Sequence, residues 1–229
     1  MFWIDKWYII LVIPAMLLGF WAQHRVNSTY RKYSGLYNSR GISAAQAARQ
    51  ILDDNGLYDV DVVRTSGNLT DHYDPRERVV RLSDSAYGSA SVAALGVAAH
   101  EVGHAVQHAT GYFPLQLRNA IVPVTRIGSQ ISPFLLLIGL FLGWQPLVEL
   151  GILLFALVAL FQLITLPVEY NASRRALATL SNGMLTAEET NGAARVLDAA
   201  ALTYVAALIT SIAQLLRLIL LYGGGRRRD

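Results

Sequence analysis

The sequence contains no cysteine and few charged residues, and each absence excludes a class of protein. Without cysteine, disulfide bonds and thiolate zinc sites are excluded. Only 15% of the 229 residues are charged, against about a quarter in an ordinary soluble domain, whereas 53% are hydrophobic. The net charge is only +3, and the basic residues are scattered or flank apolar runs. We therefore expect the lipid bilayer, and no nucleic acid, as a partner of these residues.

Long apolar runs predict transmembrane helices near the start and in the middle of the chain. A spanning helix needs about 20 mostly apolar residues, with tryptophan favoured at its interfaces. Residues 1–22 fit this pattern, because Trp3, Trp7 and Trp21 bracket an apolar run. The run has neither a basic start nor a small-residue cleavage site, so a membrane helix is favoured over a signal peptide. Residues 131–168 predict a helical hairpin that turns at Gly143–Pro146 and whose first helix begins before Ile131.

The end of the chain offers a fourth, weaker membrane candidate. Ala199–Tyr222 is apolar apart from a few polar side chains, and a flexible basic tail follows it. The segment before it contains Thr186 and Glu189, spaced as in a capping box that starts a long helix. The chain is therefore expected to have three to four transmembrane helices.

The more polar segment, residues 23–130, predicts helices and two short strands. Ser43 and Gln46 are spaced as a helix-capping box. Val60–Thr65 and Arg78–Leu82 are rich in β-branched residues, and the turn-forming residues between them favour a short β-hairpin. An Ala- and Val-rich helix then runs from Ser89 or Ser91 to about Thr110. The fold class expected is a mainly α membrane protein with a small α+β region.

Residues 100–104 read His-Glu-Val-Gly-His, which is the spacing of a zinc-binding helix. On a helix, positions i and i+4 project from one face, so His100 and His104 can share one zinc ion. Glu101 then lies beside the metal, where it can take a proton from water. Two surface histidines are the alternative, but the surrounding helix is rich in Ala, Val and Gly. Two His and a Glu buried there without a partner would be costly, so one zinc per chain is predicted.

A catalytic zinc usually has three protein ligands, and the third is open on the residues alone. His108 continues the i+4 series, but it lies roughly 12 Å along the helix axis from His100, too far for one zinc. Glu169, at the end of the second hairpin arm, is favoured if that arm returns to the side of the membrane that it left. It could instead be an interfacial charge at the end of a membrane helix. His24 and His72 remain alternatives.

Four segments together resemble a known family, the YugP-like neutral zinc metallopeptidases of bacterial membranes. These segments are Leu69–Pro75, Gly96–Ala105, Val168–Ala176 and Leu202–Ala207. The resemblance runs from the first membrane segment to the last. It implies a zinc-dependent peptidase of the HExxH type in the cell membrane, with peptide or protein substrates that include membrane proteins.

The broader pattern is similar to the HtpX and CAAX prenyl protease group, in which a glutamate beyond a membrane hairpin is the third zinc ligand. The resemblance therefore implies Glu169 as that ligand. In many such enzymes an acidic residue four positions later supports a zinc histidine, whereas this chain has Ser173 there. A serine orients a histidine more weakly than a carboxylate does. Asn171 or Asp198 is the alternative support.

The predicted function is hydrolysis of peptide bonds with Glu101 as general base. A donor should stabilise the oxyanion, and His72 and Tyr204 are the candidates. The hairpin around His72 could present an edge strand to an extended substrate. Two other functions stay open: a membrane scaffold or chaperone-like protein with a non-catalytic zinc, and a zinc hydrolase acting on something other than peptides.

The sequence predicts five segments and a side of the membrane. The segments are an N-terminal transmembrane helix (1–22), a zincin-like catalytic region (23–130), a transmembrane hairpin (131–168), a third-ligand segment and helix (169–198), and a C-terminal membrane helix with its tail (199–229). Basic residues flank the membrane segments on the catalytic side, which predicts a cytoplasmic active site in a multi-pass protein. Four full spans would place Arg226–Arg228 on the other side, against the same tendency.

Overall fold

A computed structural model describes residues 5–222, which are mainly helical with one small sheet. Among these residues four helices are long and apolar enough to cross a membrane, so the predicted fold class is confirmed. A π-helical turn, Tyr8–Val12, precedes the first helix. The other elements are α1 Ile13–Ser34, α2 Ala44–Asp54, β1 Asp61–Thr65, β2 His72–Asp74, β3 Val79–Ser83, α3 Val92–Ala109, α4 Phe113–Leu142, α5 Gln145–Ser181 and α6 Ala187–Tyr222.

The sheet contains the two predicted strands, but the predicted pairing of these two strands as a hairpin is wrong. β1 and β3 pair in parallel, with Asp61 opposite Val79. The antiparallel partner of β3 is β2, so the strand order is β1-β3-β2. A parallel pair cannot be closed by a tight turn and needs a longer crossover. The turn-rich segment between the predicted strands supplies that crossover and contains the unpredicted strand β2.

Hydrogen bonds in the turn between β2 and β3 stabilise the three-residue strand β2. The Asp74 carboxylate accepts hydrogen bonds from the backbone N–H groups of Arg76, at 2.8 Å, and Glu77, at 3.3 Å. Arg78 then adopts a left-handed conformation with φ of 54°. An aspartate that bonds its own following backbone is a strong turn former. The short antiparallel hairpin therefore consists of β2 and β3.

The chain divides into two compact units, of which the second contains the sheet. This unit, called here the sheet unit, comprises residues 23–116 and 167–201. Its core is formed by buried residues from α2, the sheet and α3, together with residues of α5 and α6 that include Leu180 and Leu197. α2 begins at Ser43 with the predicted capping box, in which the hydroxyl of Ser43 accepts from the N–H of Gln46 at 3.3 Å. The apolar face of α2 is thus aimed at α3.

The other unit, called here the membrane unit, comprises residues 1–22, 117–166 and 202–229. Small residues hold α4 and α5 together, because a Cβ added to Gly139 or Gly151 would lie within 3 Å of the opposite helix. The hydroxyl of Ser132 donates to the backbone oxygen of Gly151 at 2.8 Å. Close packing of small residues and hydrogen bonds between helices are the usual means of association in lipid. The predicted helical hairpin therefore has a packing basis.

One end of the membrane unit carries polar contacts. The guanidinium of Arg217 forms an ion pair with Asp5 at 2.6 Å and lies over the ring of Tyr8. The side-chain amide of Gln145 donates to the backbone oxygen of Tyr222 at 3.3 Å. These contacts place Asp5, the α4–α5 turn and the end of α6 at the same end of this unit.

The five-segment division stays a prediction, and two helices cross its boundaries. α4 begins at Phe113, well before residue 131, and α5 continues past residue 169. The segment predicted as a flexible basic tail, with Arg226–Arg228, lies outside the described residues.

Candidate active site

Helix α3 carries the His-Glu-Val-Gly-His motif, and its sequence fixes where the motif faces. The hydroxyl of Ser91 caps the helix by accepting from the N–H of Ala94 at 3.2 Å. Most of the Ala, Val and Gly residues of α3 are buried in the core of the sheet unit. His100, Glu101 and His104 are partly exposed and lie together on one face. The apolar faces of the helix thus orient the motif toward the surface of the core.

His100, His104 and Glu169 come together as a group of three candidate metal ligands. Their ligand atoms all lie within 4.8 Å of one another. Oε2 of Glu169 is 3.3 Å from Nε2 of His100 and 3.6 Å from Nε2 of His104. The Glu169 side chain is 5% exposed, and the two histidine side chains are 13% and 12% exposed. The group is therefore shielded but not closed off from solvent.

The chemistry and spacing of this group fit a zinc ion. Donor atoms around a tetrahedral zinc lie about 3.3 Å apart, given bonds of roughly 2.0–2.1 Å. The two nitrogen–oxygen distances, 3.3 and 3.6 Å, are close to that value. Burial by itself lowers the pKa of His104, but the Glu169 and Glu101 carboxylates outweigh it, so the pKa lies above its ordinary value. The negative field that causes this shift would also attract a divalent cation.

Gly103 allows α5 to approach α3 closely enough to deliver Glu169. A Cβ added at Gly103 would lie 2.8 Å from the backbone oxygen of Ala172 and 3.2 Å from its Cα. Ala172 is one turn beyond Glu169 on α5. The missing side chain therefore sets the distance between the helix with the two histidines and the helix with the carboxylate.

Glu101 is held by the edge strand of the sheet. Its Oε2 accepts a hydrogen bond from the backbone N–H of Tyr73 at 3.1 Å. Because this N–H points away from β3, the free edge of β2 faces the glutamate. Oε1 of Glu101 has no hydrogen bond to any residue in the described part of the chain, so one carboxylate oxygen is anchored and the other is available.

Tyr73 makes a second contact with α3 through its side chain. Its hydroxyl lies 2.9 Å from Nδ1 of His108. Burial raises the pKa of Tyr73, so the phenol is protonated and can donate to the imidazole. His108, which is too far along the helix to share a zinc with His100, thus has a partner in the sheet. Strand β2 is fastened to α3 at two points, on either side of His104.

The two metal-facing imidazoles are oriented by neutral partners. Nδ1 of His100 lies 3.1 Å from the hydroxyl of Ser173, and Nδ1 of His104 lies 3.0 Å from Oε1 of Gln107. Of the two alternatives for the supporting residue, Asn171 contacts Gln107 rather than a histidine, and Asp198 is exposed. Gln107 was missed, although a residue three positions after a helical histidine lies on the same face.

Neither His72 nor His24 is among the three residues of this group. His72 is exposed, its Nδ1 lies 2.8 Å from the backbone oxygen of Thr70, and it pairs in register with Arg81. Its neighbour Tyr73 packs against α3, and successive side chains of a strand point to opposite faces. His24 is exposed on α1. Tyr204 belongs to the membrane unit. The roles of His72 and Tyr204 in stabilising an oxyanion stay predictions.

These features define a class, the multi-pass membrane proteins with a candidate metal site. Two histidines lie one turn apart on one helix, and a carboxylate from another helix joins them. Four apolar helices are long enough to span a membrane. A family model described as "Putative neutral zinc metallopeptidase" matches residues 8–223. The chain therefore belongs to this neutral zinc metallopeptidase family, as the sequence motifs predicted.

A curated relative supports the same assignment. The chain is similar to the protein named "Putative membrane protease YugP" of Bacillus subtilis (strain 168), with 51% identity over 220 residues. The aligned region covers 96% of this chain and 98% of that protein. No solved structure matches the chain.

Proposed function

We propose that the protein is a membrane-embedded zinc peptidase, with His100, His104 and Glu169 as ligands of one zinc ion and Glu101 as general base. The observation that carries the proposal is the convergence of three ligand atoms from two helices beside a glutamate on the same helical turn. Membership of the neutral zinc metallopeptidase family supports the choice of zinc and of peptide substrates.

The residues around the site divide the chemistry between them. Zinc, when bound, supplies a Lewis acid that polarises a carbonyl group and lowers the pKa of water. Oε1 of Glu101 takes a proton from the attacking water and later transfers it to the leaving amine. The N–H of Tyr73 keeps Oε2 of Glu101 in place, so the carboxylate does not have to be ordered during the reaction.

The edge of β2 supports an extended peptide as the substrate. β2 is an outer strand, and the edge that does not pair with β3 faces Glu101. An extended backbone that pairs with this edge would lie beside the general base. The proposed substrates are peptides or proteins, membrane proteins among them.

The alternative function, a scaffold with a non-catalytic zinc, has less support. Structural zinc sites are closed by four protein ligands, whereas catalytic sites keep one position open. Within residues 5–222 the group of candidate ligands contains three residues. A free oxygen on Glu101 also has no use in a structural site.

Removal of zinc tests the proposal directly. Protein purified in detergent is expected to contain one zinc per chain and to cleave casein. A chelator should abolish cleavage, and one equivalent of zinc should restore it, because the ligand group needs no other component. Active protein without stoichiometric metal would contradict the proposal. Circular dichroism before and after chelation is the control, since the core of the sheet unit does not include the ligands.

We further propose that the active site faces the cytoplasm, and the absence of cysteine makes this measurable. Four spans place α2 and the α4–α5 turn on opposite sides of the membrane. Asp54→Cys in α2 and Trp144→Cys in that turn are both at exposed positions. In intact cells a membrane-impermeant maleimide should label only Trp144→Cys, and permeabilised cells should show both. Labelling of Asp54→Cys alone in intact cells would place the active site outside.

A further inference from the structure

Gln107 is fully buried between α3 and α5, and its amide can be oriented in only one way. One of its side-chain atoms lies 2.8 Å from the backbone oxygen of Val168. A carbonyl oxygen only accepts, so this atom must be the nitrogen Nε2. The other atom, Oε1, then faces Nδ1 of His104 at 3.0 Å. Because an amide oxygen also only accepts, the proton of that imidazole must be on Nδ1.

The position of this proton decides which nitrogen of His104 can bind a metal. In the neutral imidazole with its proton on Nδ1, Nε2 keeps its lone pair. Nε2 is the atom that faces Glu169, at 3.6 Å. A neutral imidazole binds a metal through its unprotonated nitrogen, and the bond made by the other nitrogen fixes the tautomer. The bond to Gln107 thus prepares His104 for the metal and holds its ring.

Gln107 is itself fixed from the side of α5. Nε of Arg175 lies 2.9 Å from a side-chain atom of Asn171. A guanidinium only donates, so that atom is the oxygen Oδ1. The same oxygen accepts from Nε2 of Gln107 at 3.0 Å. The donors and acceptors in this chain of side chains therefore agree from Arg175 to His104.

We propose that Gln107 is a positioning residue that sets the tautomer and ring orientation of His104 for metal binding, with Asn171 and Arg175 holding its amide. The inference rests on the proposed function, because it requires His104 to be a metal ligand. Gln107 must donate at one atom and accept at the other, whereas Asn171 contributes only an acceptor to these bonds. The same change from amide to acid should therefore weaken zinc binding at position 107 and have little effect on it at position 171.

Zinc affinity of the full-length protein in detergent, measured by competition with a chelating dye, tests this contrast. In Gln107→Glu an oxygen replaces the donor that faces Val168, and zinc affinity should fall about 10–100-fold. Asn171→Leu removes the acceptor and should weaken zinc binding in the same direction. Asn171→Asp keeps an acceptor for both neighbours, so its affinity should change less than the roughly tenfold that loss of such a partner causes.

A second measurement reads the tautomer without zinc. Nitrogen-15 NMR of labelled histidines in the zinc-free protein should show the neutral form of His104 with its proton on Nδ1, the signal being assigned by its absence in His104→Asn. Gln107→Met fills a similar volume without hydrogen bonds and should lose this preference. If Gln107→Glu does not fold, Gln107→Met replaces it in the measurement of zinc affinity. A merely structural role for Gln107 would leave the tautomer unchanged.

The outcomes separate the two proposals. Three results would overturn the positioning role and leave the proposed function intact. The first is unchanged zinc affinity in Gln107→Glu and Gln107→Met, and the second is an equal loss of affinity in both acid variants. The third is an unchanged tautomer of His104 in Gln107→Met. A parent protein that binds no zinc would instead overturn the proposed function itself. Weak zinc binding in both Gln107 variants with retained binding in Asn171→Asp supports the inference.

Discussion

Replacing the motif glutamate, Glu101→Gln, is expected to lower kcat for peptide cleavage by about 10²–10⁴-fold, the usual contribution of general acid–base catalysis. Glutamine has the same shape, and its side-chain oxygen can still accept from the N–H of Tyr73. It cannot take a proton from water at neutral pH. Because Glu101 is not among the three candidate ligands, bound zinc should remain at one per chain. Cleavage rates and zinc content of the purified variant check both statements.

Glu169→Gln is the matched control, since it makes the same chemical change at a proposed ligand. The amide is a weaker zinc ligand than the carboxylate, so zinc affinity should fall. Activity should partly return when zinc is added in excess. Undiminished cleavage by Glu101→Gln would remove Glu101 from the role of base. Unchanged zinc affinity in Glu169→Gln would remove Glu169 from the ligand set.

Adding one methyl group at Gly103 is expected to have the second large effect. In Gly103→Ala the new Cβ would meet the backbone of Ala172, at 2.8 Å from its oxygen. Backbone cannot rotate away as a side chain can, so α5 must move, and Glu169 and Ser173 must move with it. Overpacking of this kind costs about 1–3 kcal/mol of stability. A displacement near 1 Å at a catalytic group can lower activity on the order of 100-fold.

Gly19→Ala provides the control for this prediction. Gly19 lies in helix α1, where an added Cβ meets nothing within 4 Å. Alanine is about 1 kcal/mol more favourable than glycine inside a helix, so this variant should be at least as stable as the parent. Thermal unfolding and zinc affinity compare the two. If Gly103→Ala keeps both at the level of the parent, close approach of α5 is not required for the site.

The parts of the site that depend on local geometry were predictable from the sequence. His100 and His104 are neighbours because a helix places positions i and i+4 together, whatever the rest of the chain does. Glu169 lies 69 positions from His100. No local rule brings it there: the predicted hairpin favoured Glu169 only if its second arm returns, and the family resemblance then strengthened that choice. The structure then shows how the approach occurs, through the glycine that lets α5 contact α3.

The sheet shows where sequence reasoning fails. Strand β2 has only three residues, His72–Asp74, and the turn formers around it conceal its pattern. Without β2, each of the two predicted strands had only the other as a pairing partner, so an antiparallel hairpin was predicted. Whether neighbours pair in parallel is decided by tertiary packing on α3, which the strand sequences do not encode.

The support of the histidines was only half predictable. Ser173 follows from the family spacing and lies at His100, as the weak substitute that was expected. Gln107 was not predicted because the family pattern indicates an acidic residue as the support, and Gln107 is a neutral amide. Its importance comes from burial and from contacts with α5, and neither is visible in the spacing of residues along one helix.

The ion pair between Asp5 and Arg217 has a consequence for biosynthesis. The two residues are 212 positions apart, so Asp5 is made first and must await almost the entire chain before its partner emerges from the ribosome. An arginine costs about 2.5–3.5 kcal/mol at the centre of a membrane helix during insertion by the translocon and less toward its end, where Arg217 lies, and an acidic partner that is already present reduces this penalty further. All three candidate ligands are translated earlier. The order of synthesis thus completes the metal-ligand set before the first and last helices can be joined.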